Sequence, residues 1–301
     1  AFAMVLYTYR MELAYFRFGT DKSFDREMVF NVSLSSIVIT TLFFTIIFFF
    51  LAPYYAEAQH ITERINLVYL AIGIIFFDVL NEIPKAKLRL DGRPIRFAVI
   101  QLTNIIVNLA LVFFFLMFCP WLLENESVSF IHGFINKIYF PEFGIGYIFF
   151  ANIIASFLVF LLLLPEWTNF KLLINKELWS KMMAYSLPMV IVGFSYAINE
   201  LFDRNFMVNY LSGTIEENKS QLGIYSANYK LAMILALFTQ AFRYGAEPFF
   251  FKQKDKKEAY QSYADVAKYF FIIGILGFLF ISLYLDFFKQ IFRLLPGDIL
   301  H

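Results

Sequence analysis

Residues 37–55 read IVITTLFFTIIFFFLAPYY, nineteen positions without a single charge. As a helix rising 1.5 Å per residue this stretch is about 28 Å long, close to the roughly 30 Å of a bilayer's hydrocarbon core. A second run, IIVNLALVFFFLMFC at 105–119, has the same character. The whole chain follows suit. Apolar residues make up 60% of its 301 positions and charged residues 16%, and 41 Phe exceed what a soluble core of this length requires. The predicted class is therefore an all-α, multi-pass helical membrane protein.

Chemistry that needs particular ligands is scarce. The single Cys119 excludes an internal disulfide framework, and three scattered histidines provide no metal-ligand spacing. A phosphate-binding G-x-x-x-x-G-K-[ST] motif is missing, which argues against ATP hydrolysis by this chain. The net charge of +1 says nothing about partners. The chain opens with Ala1 inside an apolar segment, so it reads as a fragment of a longer protein.

Hydropathy predicts about eight spans: a partial one at 1–18, then 28–54, 63–83, 96–120, 144–165, 181–202, 222–243 and 263–288. Pro84 and Pro165 are expected to stop helices, and Pro188 and Gly193 to bend one. The loops at 17–27, 84–96, 166–181 and 243–257 hold 16 Lys and Arg, against 6 in the alternate loops at 53–64, 121–143, 203–221 and 286–301. The bias alternates without exception and places the first set in the cytoplasm.

An internal echo accompanies this topology. YRMELAYFR at 9–17 and YGAEPFFFK at 244–252 align at an offset of 235, bringing Tyr9 onto Tyr244, Glu12 onto Glu247 and Arg17 onto Lys252. Both lie at cytoplasmic ends of spans six crossings apart, as parallel repeats of a six-helix unit would. Chance aromatic matches are the bland explanation.

Ionisable groups in hydrocarbon are costly unless they face a partner, a bundle interior or water. Along 222–251, Tyr225, Asn228, Tyr229, Ala232, Ala236, Thr239, Gln240, Arg243 and Glu247 recur every three or four residues as one polar stripe. Lys230 lies off it, where snorkelling and a role in a cavity are both open. Gln101, Asn104 and Asn108 share a helix face. Ser33, Ser36 and Thr40 suit tight helix packing. Asp78, Asn81, Glu82 and Lys85 share a face as an acid-base cluster, Asp203 continues the side that carries Ser195, and Glu200 and Arg204 are spaced to pair. Arg10 lies about 12 Å inside Phe18 at 1.5 Å per residue and shares a face with Arg17. An arginine so deep needs a carboxylate or a bound anion. Glu12 is one candidate, although two residues away on a regular helix it points elsewhere, and a substrate phosphate is another. Amides and aromatic faces suit sugars, and guanidinium groups suit phosphates.

The segments YRMELAYFRF (9–18), IPKAKLRLDGRPIRF (83–97), NELFDRNFMVNYL (199–211) and GIYSANYKLAMILALFTQAFRYGAEPFFF (223–251) resemble the Wzx-like polysaccharide biosynthesis proteins. These are flippases of the multidrug/oligosaccharidyl-lipid/polysaccharide (MATE-like) exporter superfamily. The resemblance implies 12 to 14 helices in two lobes forming a V around a central cavity. Residues 1–165 would then be the N-terminal lobe without its first helix, 166–181 the interlobe linker and 182–301 part of the C-terminal lobe. It implies a bacterial cytoplasmic-membrane transporter, not an enzyme, that moves a polyprenyl-diphosphate-linked oligosaccharide of a surface polysaccharide such as O-antigen. No cofactor is expected beyond a proton or sodium gradient. The expected partners are membrane lipids, the lipid-linked substrate, a polysaccharide polymerase and glycosyltransferases, with no nucleic acid.

On this reading Arg10, Arg17, Arg243 and Lys230 are candidates to hold the diphosphate. Gln101, Asn104, Asn108, Asn228, Tyr229 and Gln240 are candidate sugar contacts. Glu12, Glu247, Asp78, Glu82, Glu200, Asp203 and Arg204 are candidates for ion coupling or charge pairing. A cation-coupled drug exporter of the same superfamily and a membrane-embedded glycosyltransferase or polymerase are the rival readings. A mixed basic lining opposes the first, and the lack of a sizeable extramembrane loop opposes the second.

Overall fold

The computed structural model describes residues 2–58, 61–125, 129–253, 259–285, 287 and 288; side chains at 129–132, 134, 196, 197, 199–205, 208, 209, 215, 219, 227, 252, 253 and 259 lie outside that description. Among the described residues there is no strand. The α-helices run α1 (Phe2–Thr8), α2 (Met11–Gly19), α3 (Arg26–Ala58), α4 (Ile65–Leu90), α5 (Pro94–Phe113), α6 (Cys119–Glu124), α7 (Ser129–Ile138), α8 (Gly146–Trp167), α9 (Lys176–Tyr210), α10 (Ile215–Gln253) and α11 (Ala259–Leu283). Among the described residues six helical stretches are long and apolar enough to cross a membrane: 26–58, 62–90, 94–124, 146–167, 216–251 and 260–283. The chain is an all-α polytopic membrane protein.

These six stretches differ from the expected spans at two segments. The segment at 1–18 is broken between α1 and α2, where Tyr9 and Arg10 take φ of 33° and 57°. The segment at 181–202 lies inside the 35-residue α9, which is not among the six. Pro84 does not stop its helix either, since α4 continues through it to Leu90. The extra turn is held from outside the helix. Lys87 sits 4.4 Å from the Phe30 ring centre, and Arg89 sits 4.8 Å from that of Phe16. Neighbouring elements thus hold the chain helical past the carbonyl that proline leaves without its donor. The 94–124 stretch passes from α5 to α6 through a single π turn at Phe114–Phe118, just ahead of Pro120. A proline that cannot donate to the helix ladder is the local cause of such a bulge.

The chain divides into two compact units, Ala1–Gly193 and Phe194–His301. In the first, α4 packs between α3 and α8, α5 packs on α8, and α1 and α2 lie against α3 and α4. Long runs of buried side chains lie at one end, along Val29–Ile37 of α3 and Val79–Leu90 of α4. That is the end where the basic loops 17–27, 84–96 and 166–181 meet. Glu166 pairs with Arg93 and Arg96 of the 84–96 loop, and the Lys171 backbone N–H donates to Asn31 Oδ1, in the helix that follows the 17–27 loop. Three loops assigned to one side by their charge are therefore together in space.

The opposite loop, 121–143, contains helical structure. It carries α6 and α7, which close over Phe115, Cys119, Leu122, Ile135 and Tyr147. In the second unit α10 packs on α11, with Phe238 and Phe242 both against Phe270. Its start is fixed by a capping box: the Thr214 N–H donates to Glu217 Oε2 and the Glu217 N–H to Thr214 Oγ1.

Candidate functional site

In the first unit the site is built on the break between α1 and α2. Two consecutive non-glycine residues in the left-handed region end α1 and let the chain restart at Met11. Helix breaks free backbone carbonyls, and within a membrane these need new donors. One is supplied here by Thr40 Oγ1, which donates to the Tyr7 carbonyl at 3.2 Å. Tyr9 is anchored by its hydroxyl, which donates to Ser36 Oγ at 2.6 Å, and the same oxygen accepts Trp179 Nε1–H at 2.7 Å. Ser36 and Thr40 therefore serve packing, as expected of that stripe.

The break also changes the partner of Arg10. Its Nη1 lies 3.3 Å from Glu12 Oε1, a contact that a regular helix would not make at this spacing. The left-handed turn swings the guanidinium back over the first turn of α2. The Glu12 side chain is only 12% exposed, and its Oε2 has no hydrogen-bond partner among the described residues. A Cβ built on Gly193 would stand 2.9 Å from Arg10 Nε, so this glycine makes room for the guanidinium. Arg17 does not share Arg10's surroundings. It is exposed and lies over the Tyr185 ring at 4.5 Å.

Other acids stand nearby on α4. Glu82 is close enough for its charge to act on both Glu12 and Asp78. Asp78 Oδ1 accepts a 2.6 Å hydrogen bond from Ser156 Oγ, and Asn81 Nδ2 donates to the Ser156 carbonyl. The expected acid-base cluster is thus mostly a polar bridge from α4 to α8. Gln101, Asn104 and Asn108 are half-buried along α5 and have no hydrogen-bond partner among the described residues. Three cavities of about 500, 730 and 540 Å³ open on this unit, and none of these three is lined by Arg10 or Glu12.

In the second unit one stripe of α10 carries a continuous polar chain. Gln240 Nε2 donates to the Tyr244 hydroxyl at 2.7 Å, Arg243 Nη2 donates to Gln240 Oε1 at 2.8 Å, and Arg243 Nε lies 3.7 Å from Glu247 Oε1. Asn228 donates to its own helix at the Ile224 carbonyl, and Tyr229 packs by Tyr225. Lys230 is exposed and has no ion pair among the described residues. The side chains of Asn199, Glu200, Asp203, Arg204 and Lys252 lie outside the described set.

Glu12 and Glu247 are thus both arginine partners, yet the two motifs differ in backbone. The first is broken at Tyr9 and Arg10, whereas Tyr244–Lys252 runs on within α10 despite Pro248. The echo between them extends to an Arg–Glu pair beside a tyrosine and no further.

Sequence reasoning missed the strongest charge cluster. Glu166, 4% exposed, lies 3.5 Å from Lys87 Nζ, 3.6 Å from Arg93 Nη1 and 3.0 Å from Arg96 Nη1. The available signal was one acid directly after an apolar run, set between basic loops. On the rim, exposed Glu177 accepts a 2.6 Å contact from Lys181, and that hydrogen bond holds its carboxyl below the usual carboxylate range. No family model, curated protein or solved structure matches this chain.

Proposed function

We propose that the chain belongs to a flippase that moves a polyprenyl-diphosphate-linked oligosaccharide across the cytoplasmic membrane by alternating access. The observation that carries this reading is the Arg10–Glu12 pair at the break between α1 and α2. Glu12 satisfies one amino group of the guanidinium, and the others have no hydrogen-bond partner among the described residues. A diphosphate offers several charged acceptors where Glu12 offers one free oxygen, so it can displace the carboxylate from Arg10 in a bidentate grip. Glu12 then acts as a place-holder that keeps the arginine oriented between cycles. Arg243, linked to Gln240 and Glu247, takes the same part in the second unit. The unpartnered amides Gln101, Asn104 and Asn108 are suited to sugar hydroxyls.

The test is leaflet-resolved accumulation of the lipid-linked intermediate in cells that depend on this protein. Arg10→Ala and Arg243→Ala should each leave the protein in the membrane and strand the intermediate in the inner leaflet. Normal export in both variants would remove the diphosphate assignment. One observation favours a second reading, a cation-coupled drug exporter: Glu12, Glu82 and Asp78 place three acids near Arg10 and Lys85. Resistance profiles in a pump-deficient strain separate the two.

A further inference from the structure

We propose that the groove between α5 and α8, at the cation-rich end of the first unit, binds an anionic phospholipid of the cytoplasmic leaflet. The groove has a volume of about 730 Å³, and its walls include Arg93, Ile95, Arg96, Val99, Leu158 and Leu162. Its chemistry is split. Ile95, Val99 and Leu162 are exposed apolar surface of the kind an acyl chain covers, while the two arginines stand at the start of α5, where a membrane-spanning helix meets the headgroups.

The charge balance at that end is positive. Lys87, Arg89, Arg93 and Arg96 face two acids, Glu166 and Asp91. Glu166 is almost fully buried and is shared among Lys87, Arg93 and Arg96, so one carboxylate gathers several cations without neutralising them. The side chains of Arg93 and Arg96 remain 55% and 37% exposed, leaving donors open toward the membrane surface. Beside them Gly92, at φ 73°, turns the chain with no atom within 4 Å of where a Cβ would stand. That space accommodates a headgroup phosphate. A soluble phosphate would have no use for the aliphatic groove, whereas a lipid uses both halves. Basic pockets between helices on the cytoplasmic side are suited to anionic headgroups.

This assignment does not depend on the transport reading. It is tested by native mass spectrometry of the purified protein, titrated with phosphatidylglycerol or phosphatidylcholine. Wild type should retain phosphatidylglycerol preferentially. Arg93→Gln combined with Arg96→Gln should weaken that retention by about fivefold per charge removed. Arg93→Gln alone, at a half-exposed side chain, provides the same readout should the double variant not fold. Glu166→Gln, which removes the competing carboxylate, should retain phosphatidylglycerol more tightly than wild type. Equal retention of the two lipids, or unchanged retention in the arginine variants, overturns the proposal. So does a polyprenyl diphosphate that displaces phosphatidylglycerol at equal concentration, since the groove would then be a substrate site.

Discussion

Arg10 sits in the left-handed region with its guanidinium turned back onto Glu12, and both conditions must hold for the pair to exist. The backbone conformation costs a non-glycine residue on the order of 1 kcal/mol, and the ion pair is one of the interactions that offset it. Removing only the arginine leaves Glu12 buried without its countercharge, which for such pairs costs about 3 kcal/mol. Removing both charges should recover part of that loss. A cycle of Arg10→Met and Glu12→Gln, followed by denaturant unfolding in micelles, is expected to give a coupling of about 1–2 kcal/mol. Additive single effects would mean that the pair contributes nothing to the fold. Both residues were legible in the sequence as buried charges and as candidate partners, but the backbone geometry that joins them was not. Spacing rules assume an unbroken helix, and Tyr9-Arg10 contains neither the glycine nor the asparagine that usually marks a left-handed residue. Glu166 escaped for a different reason. Its partners lie about 70 and 80 positions earlier, on two other elements, and no local pattern encodes such a meeting.

Among the elements, apolar runs and proline positions located the helices well but misjudged their ends. Pro84 looked like a stop because the sequence cannot display the aromatic rings of Phe16, Phe30 and Phe97 that hold Lys87 and Arg89 beyond it. The break in the first segment is the reverse case, a discontinuity within what hydropathy reads as continuous. Adjacent threonines on α3 allow that break to be tested. Thr40 Oγ1 lies 3.2 Å from the Tyr7 carbonyl at the end of α1 as well as 3.0 and 3.1 Å from the Ser36 and Ile37 carbonyls of its own helix, while the buried Thr41 Oγ1 bonds only back to Ile37 among the described residues. Thr40→Val keeps the shape and removes the donor, and should cost about 1 kcal/mol because a buried carbonyl loses a partner. Thr41→Val should be close to neutral, since the Ile37 carbonyl keeps its place in the helix ladder. Thermal unfolding monitored by circular dichroism compares the two. Equal losses would show that Thr40 does not support the junction.

At the scale of the molecule, alternating charge predicts which loops share a side, and the geometry of the first unit agrees. Glu166 at the end of α8 meets Lys87 at the end of α4 and Arg93 and Arg96 at the start of α5, while the 166–175 segment hydrogen-bonds to Asn31 and Ser35 at the start of α3. A cation-rich end is thus a physical end of the bundle, and the bias of Lys and Arg assigns it to the cytoplasm. The single cysteine makes this assignment easy to examine. Cys119 is fully buried, so Cys119→Ala provides a silent background in which single cysteines can be placed at exposed sites. In that background Lys22→Cys, Asp91→Cys and Lys171→Cys should react with a membrane-impermeant maleimide in inverted vesicles and stay unlabelled in intact cells. Glu57→Cys and Glu142→Cys should show the opposite pattern, because each lies in a loop poor in cations. The two sets must switch together, since an odd number of crossings separates every loop of one set from every loop of the other. Labelling of Lys22→Cys and Glu57→Cys from the same side would mean that α3 does not cross the bilayer, and the orientation derived from the charge bias would fail with it.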